Sequence, residues 1–511
     1  MFKIKKERLG VLLQTVFFLI FSVSFAFIGA GVLFNQSWYN YTSLLLLLLG
    51  TFFIALVCVF YRFVSKYEQK LSGKYPVILA VFCVFMLSVQ LVFGSMLRFA
   101  PIYDMEAIYK GAIEWVNTGT FVNYHSDTCY ADYFYIFKNN LGAMAFLAVI
   151  FKLCNVLGIG DYFFAATVVN SVLSICTMCL ISLVCKRLWG TAKALFALFL
   201  CMIFPPFYFC AAVFYTDFLT IIFPVLAFYL YLEATRAENT KIKVALHCAG
   251  AFVAALGILI KFTVIIVVIA IALAMLLKKQ WKNLMIYAVC SAVIIGGVQL
   301  GFNAIIYSNH LDRSVAAEKN TPYSHWIMMG LNKDGDYESD DFWNTRSYDT
   351  QAERKAAISA EIKARLKGLG PMGLASLMTE KAVRCFGDGT CNLSDFLDDN
   401  PKEQTFLHNL LIAGGSKHYF YRHICAGIYF VPFVLMLFAA VGALFGGKKE
   451  RRALVPMLCI FGIMLFLLMW EVNSRYIVNF LPMMFICAVG GIDFFINTVK
   501  KTVSKIGDLH Q

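Results

Sequence analysis

Long apolar runs, separated by short polar or basic loops, recur along the whole chain. The runs at residues 11–34, 41–61, 77–97 and 162–185 each reach the roughly 20 residues that an α-helix needs to cross a bilayer. The same reading over the rest of the chain predicts about twelve spans, at residues 10–34, 42–61, 77–97, 162–185, 194–213, 218–233, 244–260, 262–277, 284–305, 424–445, 453–470 and 477–497. The pattern therefore predicts an all-α polytopic membrane protein with interfacial helices and an exterior loop region.

The composition agrees with that class of protein. The chain has 511 residues, of which 60% are hydrophobic and 15% charged, whereas soluble domains carry about 25% charged residues. The first apolar run is long, has no clear small-residue cleavage site and precedes further spans, so it does not resemble a cleavable signal peptide. The net charge of +13 comes from basic residues in short loops, as in other polytopic membrane proteins, and predicts no nucleic-acid partner.

The basic loops predict the topology. Cytoplasmic loops of membrane proteins are enriched in Lys and Arg. This places both termini in the cytoplasm, together with the basic loops at residues 62–74, 186–193, 236–243, 278–282, 448–452 and 500–505. Residues 140–158 are apolar and nearly long enough to span, but a crossing there would turn every later basic loop outward. We therefore expect an interfacial or re-entrant helix on the exterior side, with Lys152 reaching the headgroups.

This topology predicts four segments along the chain. They are an N-terminal transmembrane hairpin at 1–76, a transmembrane catalytic core at 77–305 with its first exterior loop at 98–161, an exterior lid or acceptor region at 306–423, and C-terminal transmembrane helices at 424–511. Within the exterior region, residues 352–367 have the pattern of an amphipathic helix. Cys385 and Cys391 flank a polar loop there, and they could form a disulfide if the loop is exported.

An acidic stretch follows the span at 77–97, in the segment Arg98-Phe-Ala-Pro-Ile-Tyr-Asp104-Met-Glu106. A carboxylate at the mouth of a membrane helix is unfavourable unless it faces water or a partner, which makes Asp104 a functional candidate as a general base. The alternative is a solvated loop aspartate. Glu106 would point away from Asp104 on a helix, and is either a second ligand or merely solvated.

Three more charged residues lie at predicted exterior span ends. Asp217 either caps a helix or orients the acceptor or the groups around Asp104. Lys261 interrupts a long apolar stretch, and is either a snorkelling anchor or an ammonium for a lipid phosphate. Arg475 suits bidentate phosphate contact, unless it simply pairs with nearby Glu471.

Other polar residues give weaker signals. His325 either reaches the phosphate or sugar or is structural, Asn140 can cap a helix, and Asp388 has the context of a turn residue. No His/Cys cluster has zinc-site spacing, and there is no P-loop or dinucleotide fingerprint. A soluble nucleotide-sugar donor therefore has no evident pocket.

Taken in order, these features resemble the GT-C superfamily of polyprenyl-phosphate-sugar glycosyltransferases, which contains protein mannosyltransferases and the aminoarabinose transferase of lipid A. The resemblance covers residues 77–500. It rests on Pro101-Ile-Tyr-Asp104 in the first exterior loop, an interfacial helix within 133–153, Thr216-Asp217, Lys261, Glu471 and Ser474-Arg475-Tyr476. The chain departs from the commonest family pattern in its extra N-terminal hairpin, and it has Asp104-Met-Glu106 where protein mannosyltransferases have adjacent Asp and Glu.

The resemblance implies a chemistry for the candidate residues. Asp104 would be the base of an inverting displacement, with Asp217 and Glu106 as further acidic residues near the acceptor. Lys261, Arg475 and His325 would bind the lipid phosphate. The donor would be a polyprenyl-phosphate sugar, and the acceptor a cell-wall glycopolymer or a glycolipid. A protein acceptor agrees less well with the resemblance, because the adjacent acidic pair is replaced by Asp104-Met-Glu106. The site would face the exterior of the plasma membrane, and neither a cofactor nor a divalent metal is implied. A lipid-linked sugar flippase, a transporter and a structural membrane subunit remain as alternatives.

Overall fold

The computed structural model describes residues 2–34, 42–122, 132–397, 401–447 and 449–509, with side chains from residue 9 to residue 506. Residues 123–131 of the predicted exterior loop and 398–400 of the predicted lid lie outside the described residues. Every regular element of the described part is helical, with one isolated antiparallel bridge between Phe99 and Pro401. The prediction of an all-α polytopic membrane protein is confirmed.

The α-helices are numbered along the chain. They are α1 (Phe2–Phe34), α2 (Ser43–Lys66), α3 (Glu68–Ser72), α4 (Tyr75–Met96), α5 (Tyr103–Thr118), α6 (Tyr133–Ile136), α7 (Leu141–Val156), α8 (Tyr162–Trp189), α9 (Thr191–Ile203), α10 (Pro206–Phe209), α11 (Thr216–Leu219), α12 (Ile222–Arg236), α13 (Thr240–Ile260), α14 (Ile265–Leu277), α15 (Trp281–Asn309), α16 (Arg313–Lys319), α17 (Tyr323–Met329), α18 (Ser339–Arg346), α19 (Gln351–Gly387), α20 (Ser394–Leu397), α21 (His408–Leu411), α22 (His418–Phe445), α23 (Leu454–Met469) and α24 (Leu481–Leu509). Short 3-10 turns occupy Lys138–Asn140, Cys210–Ala212, Phe262–Val264, Glu450–Ala453 and Ser474–Phe480.

Each predicted span has a helical counterpart, but the one at Phe262–Leu277 is shorter than the helices that can cross a membrane. Conversely, Lys138–Val156 is long enough to cross, although the sequence predicts an interfacial helix there. Within the described part, eleven helices are long and apolar enough to cross a membrane by length and composition, or twelve if one bent pair counts as a span. That pair, Thr191–Ile203 with Pro206–Ala212, is bent by 67° and corrects the prediction of one continuous span at 194–213. The bend falls at Pro205 and Pro206, because proline removes a backbone donor and clashes with the preceding turn.

The predicted cytoplasmic loops meet at one end of the helical bundle. Arg187, at the end of α8, forms an ion pair with Glu233 of α12 at 2.6 Å. Arg452 donates to the backbone carbonyl of Leu188, and Arg451 donates to that of Val11 in α1. The basic loops at 186–193 and 448–452 thus lie together with the end of α12 and the first part of α1, at what we call the basic end.

Helix α7 is long enough to span, yet both of its ends contact the opposite end of the bundle. Gly142, at its start, packs against the backbone of Leu259 at the end of α13. Phe151, near its end, stacks on Tyr162 at the start of α8, with ring centroids 4.9 Å apart. Since α8 finishes at the basic end and α13 starts there, both contacts lie at the far end. This geometry agrees with the predicted interfacial placement of α7.

We predict that Gly142→Ala lowers the melting temperature, whereas Gly160→Ala does not. A Cβ at Gly142 would lie 1.8 Å from the carbonyl oxygen of Leu259, so α7 would have to move away from the end of α13. Overpacking of this kind typically destabilises by about 1–3 kcal/mol. A Cβ at Gly160 would have no neighbour within 4 Å. Thermal unfolding of the purified protein, followed by tryptophan fluorescence, compares the two variants. Equal melting temperatures would show that the contact is not tight.

The segment after α15, which the sequence predicts to be exterior, packs onto the bundle through one long helix. The predicted amphipathic helix at 352–367 lies inside α19, which starts with a Thr350–Glu353 capping box and continues through a kink at Gly370. Lys381 of α19 donates to the carbonyls of Gly330, Leu468 and Trp470 at 2.7–2.9 Å. Burial lowers the pKa of Lys381 to about 8. These bonds fix α19 against the ends of α17 and α23. Cys385 and Cys391 are separate, buried thiols.

Candidate active site

Asp104 lies at the start of α5, held by two phenols. Tyr133 donates to its Oδ1 at 2.5 Å and Tyr215 donates to its Oδ2 at 2.9 Å. Asn140 in turn donates to the hydroxyl of Tyr133 at 2.5 Å. Burial, followed by the charge of Asp104, raises the pKa of Tyr133 well above its usual value, so this phenol stays a donor. Asp104 is therefore a positioned carboxylate and not a loosely solvated one.

The local sequence explains this placement. The backbone is extended at Ile102 and turns into the helix at Tyr103, which takes a positive φ of 50°. Asp104 then falls in the first turn of α5, where the helix N-terminus favours a negative charge. Asn140 begins α7 without a side-chain capping bond, so the predicted cap is instead a donor to the Asp104 cluster.

Asp217 lies at the centre of a buried ion-pair cluster. Its side chain is 0% exposed and pairs with Lys261, whose side chain is 14% exposed. Nε of Arg475 lies 3.5 Å from Oδ2 of Asp217. The alternative that Asp217 is a helix cap is wrong, because it makes no capping bond and lies inside the first turn of α11. Sequence reasoning has Asp217 orient either the acceptor or the groups around Asp104, whereas its ion pairs are with the two cations.

Aromatic rings surround the two cations. The guanidinium of Arg475 lies 5.5 Å from the ring of Tyr215, 5.1 Å from that of Phe396 and 5.3 Å from that of Tyr476. Nζ of Lys261 lies 4.6 Å from the ring centre of Tyr476. Such contacts favour a cation in a partly desolvated site. Tyr215 connects both clusters, since its hydroxyl binds Asp104 while its ring faces Arg475.

The cations have more hydrogen-bond donors than their acidic partners use. Lysine offers three N–H donors and arginine five. Within the described residues, Nε of Arg475 is buried without a hydrogen-bond partner, although it faces Asp217. Asp395 lies farther away, at 3.8 Å from the guanidinium. The remaining donors of Lys261 and Arg475 suit the oxygens of a phosphate group.

Glu471 is coupled to this cluster through Tyr476. The alternative that Glu471 simply pairs with Arg475 is not what the geometry shows: the ion pairs of Arg475 are with Asp217 and Asp395, and the hydroxyl of Tyr476 donates to Glu471. Burial raises the pKa of Glu471 to about 7, against the opposing effects of Tyr476 and Arg475. Glu471 therefore changes charge near neutral pH, close to the cations.

Two predicted site residues lie elsewhere. His325 is buried, and its Nδ1 lies 2.9 Å from Oγ1 of Thr345. Burial lowers the pKa of His325 to about 4, so it is neutral at physiological pH. Glu106 is buried on α5 and pairs with Lys110 at 2.5 Å, so the solvated alternative is wrong.

Asp388 has the turn role that the sequence predicts. Its carboxylate accepts from the backbone and hydroxyl of Thr390 and from the backbone of Asn392. It also accepts from Oγ of Ser474 at 2.6 Å, which fixes the residue before Arg475. By contrast, sequence reasoning missed the roles of Tyr133, Tyr215 and Tyr476. With 25 tyrosines in the chain, nothing in the pattern singles these out.

A groove opens beside this site at the end of α15 that lies away from the basic end. Its cavity measures about 570 Å³ and is walled mainly by apolar atoms. The lining residues are Lys138, Leu300, Asn303, Ala304, Tyr307, Arg313, Ala316 and Ala317. Lys138 belongs to the 3-10 turn that ends at Asn140, so the groove lies close to the hydrogen bonds around Asp104. Apolar walls with two cations fit a lipid that carries an anionic headgroup.

Comparisons with known proteins give one family match. A family model described as "Conserved hypothetical integral membrane protein" matches residues 3–493. No curated protein matches the chain.

Solved structures with similarity include the archaeal oligosaccharyltransferase AglB from Archaeoglobus fulgidus in complex with an inhibitory peptide and a dolichol-phosphate. It has 12% identity and a TM-score of 0.41, over 83% of this chain and 52% of that one. This chain thus spans about half the length of that protein. Another is ArnT from Cupriavidus metallidurans bound to undecaprenyl phosphate, with 14% identity and a TM-score of 0.35, over 82% of this chain and 78% of that one.

Proposed function

The chain belongs to the family described as conserved hypothetical integral membrane protein, and we propose that this member is a glycosyltransferase that uses a polyprenyl-phosphate sugar. One observation supports the proposal most strongly. A positioned carboxylate, Asp104, and two buried cations, Lys261 and Arg475, share one site through Tyr215. Transfer from a lipid phosphate needs a base for the acceptor and cations for the leaving group.

The proposed reaction is a single inverting displacement. Asp104 takes the proton of an acceptor hydroxyl, and the acceptor oxygen attacks the anomeric carbon of the donor sugar. The bond between that carbon and the phosphate oxygen breaks, and its electron pair stays with the phosphate. Lys261 and Arg475 stabilise the departing polyprenyl phosphate by charge-assisted hydrogen bonds. Asp217 is a positioning residue that holds both cations in place.

The groove at α15 supplies a place for the lipid. Lys138 and Arg313 form no ion pair with an acidic side chain in the described part of the chain. Leu300 on α15 is exposed and would face the bilayer. In this proposal the isoprenoid chain lies along α15, and its headgroup passes the turn at Lys138 toward Lys261.

The orientation follows from the basic loops. Since cytoplasmic loops are rich in Lys and Arg, the basic end faces the cytoplasm and the Asp104 site faces the exterior of the plasma membrane. A cell-wall glycopolymer or surface glycolipid is the acceptor class that we favour on the family resemblance, and Asp104-Met-Glu106 in place of an adjacent acidic pair counts against a protein acceptor. Neither a cofactor nor a metal is part of the proposed step.

The test is to incubate the purified protein, in lipid vesicles, with a panel of labelled polyprenyl-phosphate sugars. We expect the bond between sugar and phosphate to break, with transfer of the sugar to an added acceptor hydroxyl or to water, and release of polyprenyl phosphate. Movement of intact donor between leaflets without bond cleavage would instead identify a lipid-linked sugar flippase. If the protein neither cleaves nor moves any donor of the panel, that result would favour a structural subunit.

We predict that donor affinity falls as the pH rises through about 7. A buried acid with a raised pKa is neutral below that pH and ionises above it. Ionised Glu471 would add a negative charge near Lys261 and Arg475, and so weaken binding of the phosphodiester, whose own charge is constant over this range. Donor KM measured across pH should show this step, and Glu471→Gln should flatten it. An unchanged profile in Glu471→Gln would assign the step to another group.

A further inference from the structure

A second cavity, lined mainly by polar atoms, lies at the basic end, across the bundle from the Asp104 site. It measures about 470 Å³ and lies between α2, α3, the junction of α8 with α9, the loop before α23, and α24. Its lining residues are Tyr61, Arg62, Ser65, Glu68, Trp189, Ala192, Lys193, Lys449, Asp493, Ile496, Asn497 and Lys500. The proposed transferase reaction uses none of them.

The cavity is built around a buried lysine. Lys193 is 4% exposed, and its Nζ lies 2.9 Å from Oδ2 of Asp493. Tyr61 donates to Oδ1 of the same carboxylate at 2.6 Å, and the ring of Trp189 lies 5.3 Å from Nζ of Lys193. Three separate regions of the chain thus meet at one ion pair. Burying charges is unfavourable, and ionisable groups retained at membrane level commonly mark ligand sites.

The charges of the cavity do not balance. Four cations, Arg62, Lys193, Lys449 and Lys500, face two acids, Glu68 and Asp493. One acid is already engaged, because Oε1 of Glu68 accepts from the backbone N–H of Ala192 at the start of α9, 3.0 Å away. Two positive charges are left over, so an anion of the phosphate class would complete the site.

The end of α24 indicates that the anion comes from a lipid. Beyond the cavity this helix exposes Val499, Val503 and Ile506 on one side. Lys501 and Lys505 also lie on this last part of the helix, on the other side, and both are exposed. A helix with an apolar face and a basic face lies at the headgroup level of a membrane. Basic pockets between membrane helices on the cytoplasmic side bind anionic headgroups.

We infer that this cavity binds the phosphate of an anionic phospholipid headgroup at the basic end of the protein, separately from the donor site. Arg62 and Lys449, both exposed at the cavity mouth, contact the phosphate. Lys193 lies deeper, where Asp493 and Tyr61 hold it in position. Free inorganic phosphate has the same chemistry, and the test separates the two sources.

The experiment titrates the full-length protein in detergent with phosphatidylglycerol or with phosphatidylcholine, and counts bound lipids by native mass spectrometry. We expect phosphatidylglycerol to bind about ten-fold more tightly than phosphatidylcholine, and the preference to weaken at high salt. The double variant Arg62→Gln/Lys449→Gln should lose this preference. Because both side chains are exposed, the variant should fold normally.

The matched control is Lys241→Gln/Lys282→Gln, which removes the same charge from two exposed lysines at the same end but outside the cavity. It should keep the preference. A second outcome is that inorganic phosphate raises the melting temperature, that only the cavity variant loses this effect, and that no lipid preference is seen. That result would support the anion site but identify its ligand as free phosphate. The inference would be overturned if both double variants lost the lipid preference equally, or if neither phosphatidylglycerol nor inorganic phosphate had an effect. No arm measures sugar transfer, so the outcome is independent of the proposed reaction.

Discussion

Asp104→Asn should lower the rate of sugar transfer by about 10²–10⁴-fold, the usual contribution of a general base. The amide cannot take the acceptor proton. It retains the size of the carboxylate, and its carbonyl oxygen can still accept from one of the phenols, Tyr133 or Tyr215. The donor phosphate is held by Lys261 and Arg475, so donor binding should change by no more than about three-fold.

Single-turnover transfer and equilibrium binding of a labelled donor give the two quantities separately. The control is Asp340→Asn, which changes an exposed acid of α18 in the same way and should keep full activity. Full activity in Asp104→Asn would remove Asp104 from the role of base. Loss of donor binding together with activity would indicate that Asp104 organises the site instead.

Asp217→Ala should destabilise the protein by about 3–5 kcal/mol, the usual result of leaving a buried charge unpaired. The variant would leave Lys261 and Arg475 facing each other without the carboxylate that lies between them. Equilibrium unfolding in mixed micelles measures the loss in the free energy of unfolding. Replacing Lys261 by Met in the same protein removes one of the two repelling charges, and should restore part of the stability.

The control for this prediction is Asp395→Ala. Asp395 also faces Arg475, but its side chain is 47% exposed and the pair is longer, at 3.8 Å. Exposed pairs of this kind contribute about 1 kcal/mol or less. A loss in Asp217→Ala no larger than that in Asp395→Ala would contradict the view that Asp217 holds the cations.

The sequence predicts the spans and the candidate charges, because both depend on local composition. Asp104, Lys261 and Arg475 each stand out as ionisable groups next to long apolar runs. What the sequence cannot give is their pairing. Lys261 ends one helix and Arg475 lies far along the chain, and only the packing of α11 between them brings both to Asp217.

The aromatic residues and His325 show the same limit. A tyrosine in an apolar chain is equally suited to a lipid interface, a core or a hydrogen bond, so the roles of Tyr133 and Tyr215 depend on tertiary contacts alone. His325 occurs in a polar context in the sequence, yet its helix turns it into a packed cluster with Thr345 and Phe342.

The central claim is that the Asp104 site faces the exterior, opposite the basic end. Tyr103 is exposed next to Asp104, and Lys241 is exposed at the basic end. Tyr103→Cys and Lys241→Cys can each be treated in intact cells with a membrane-impermeant thiol reagent, and the labelled peptide identified by mass spectrometry. The account predicts labelling at residue 103 in intact cells, and at residue 241 only after the membrane is opened. Labelling of residue 241 but not 103 in intact cells would contradict it.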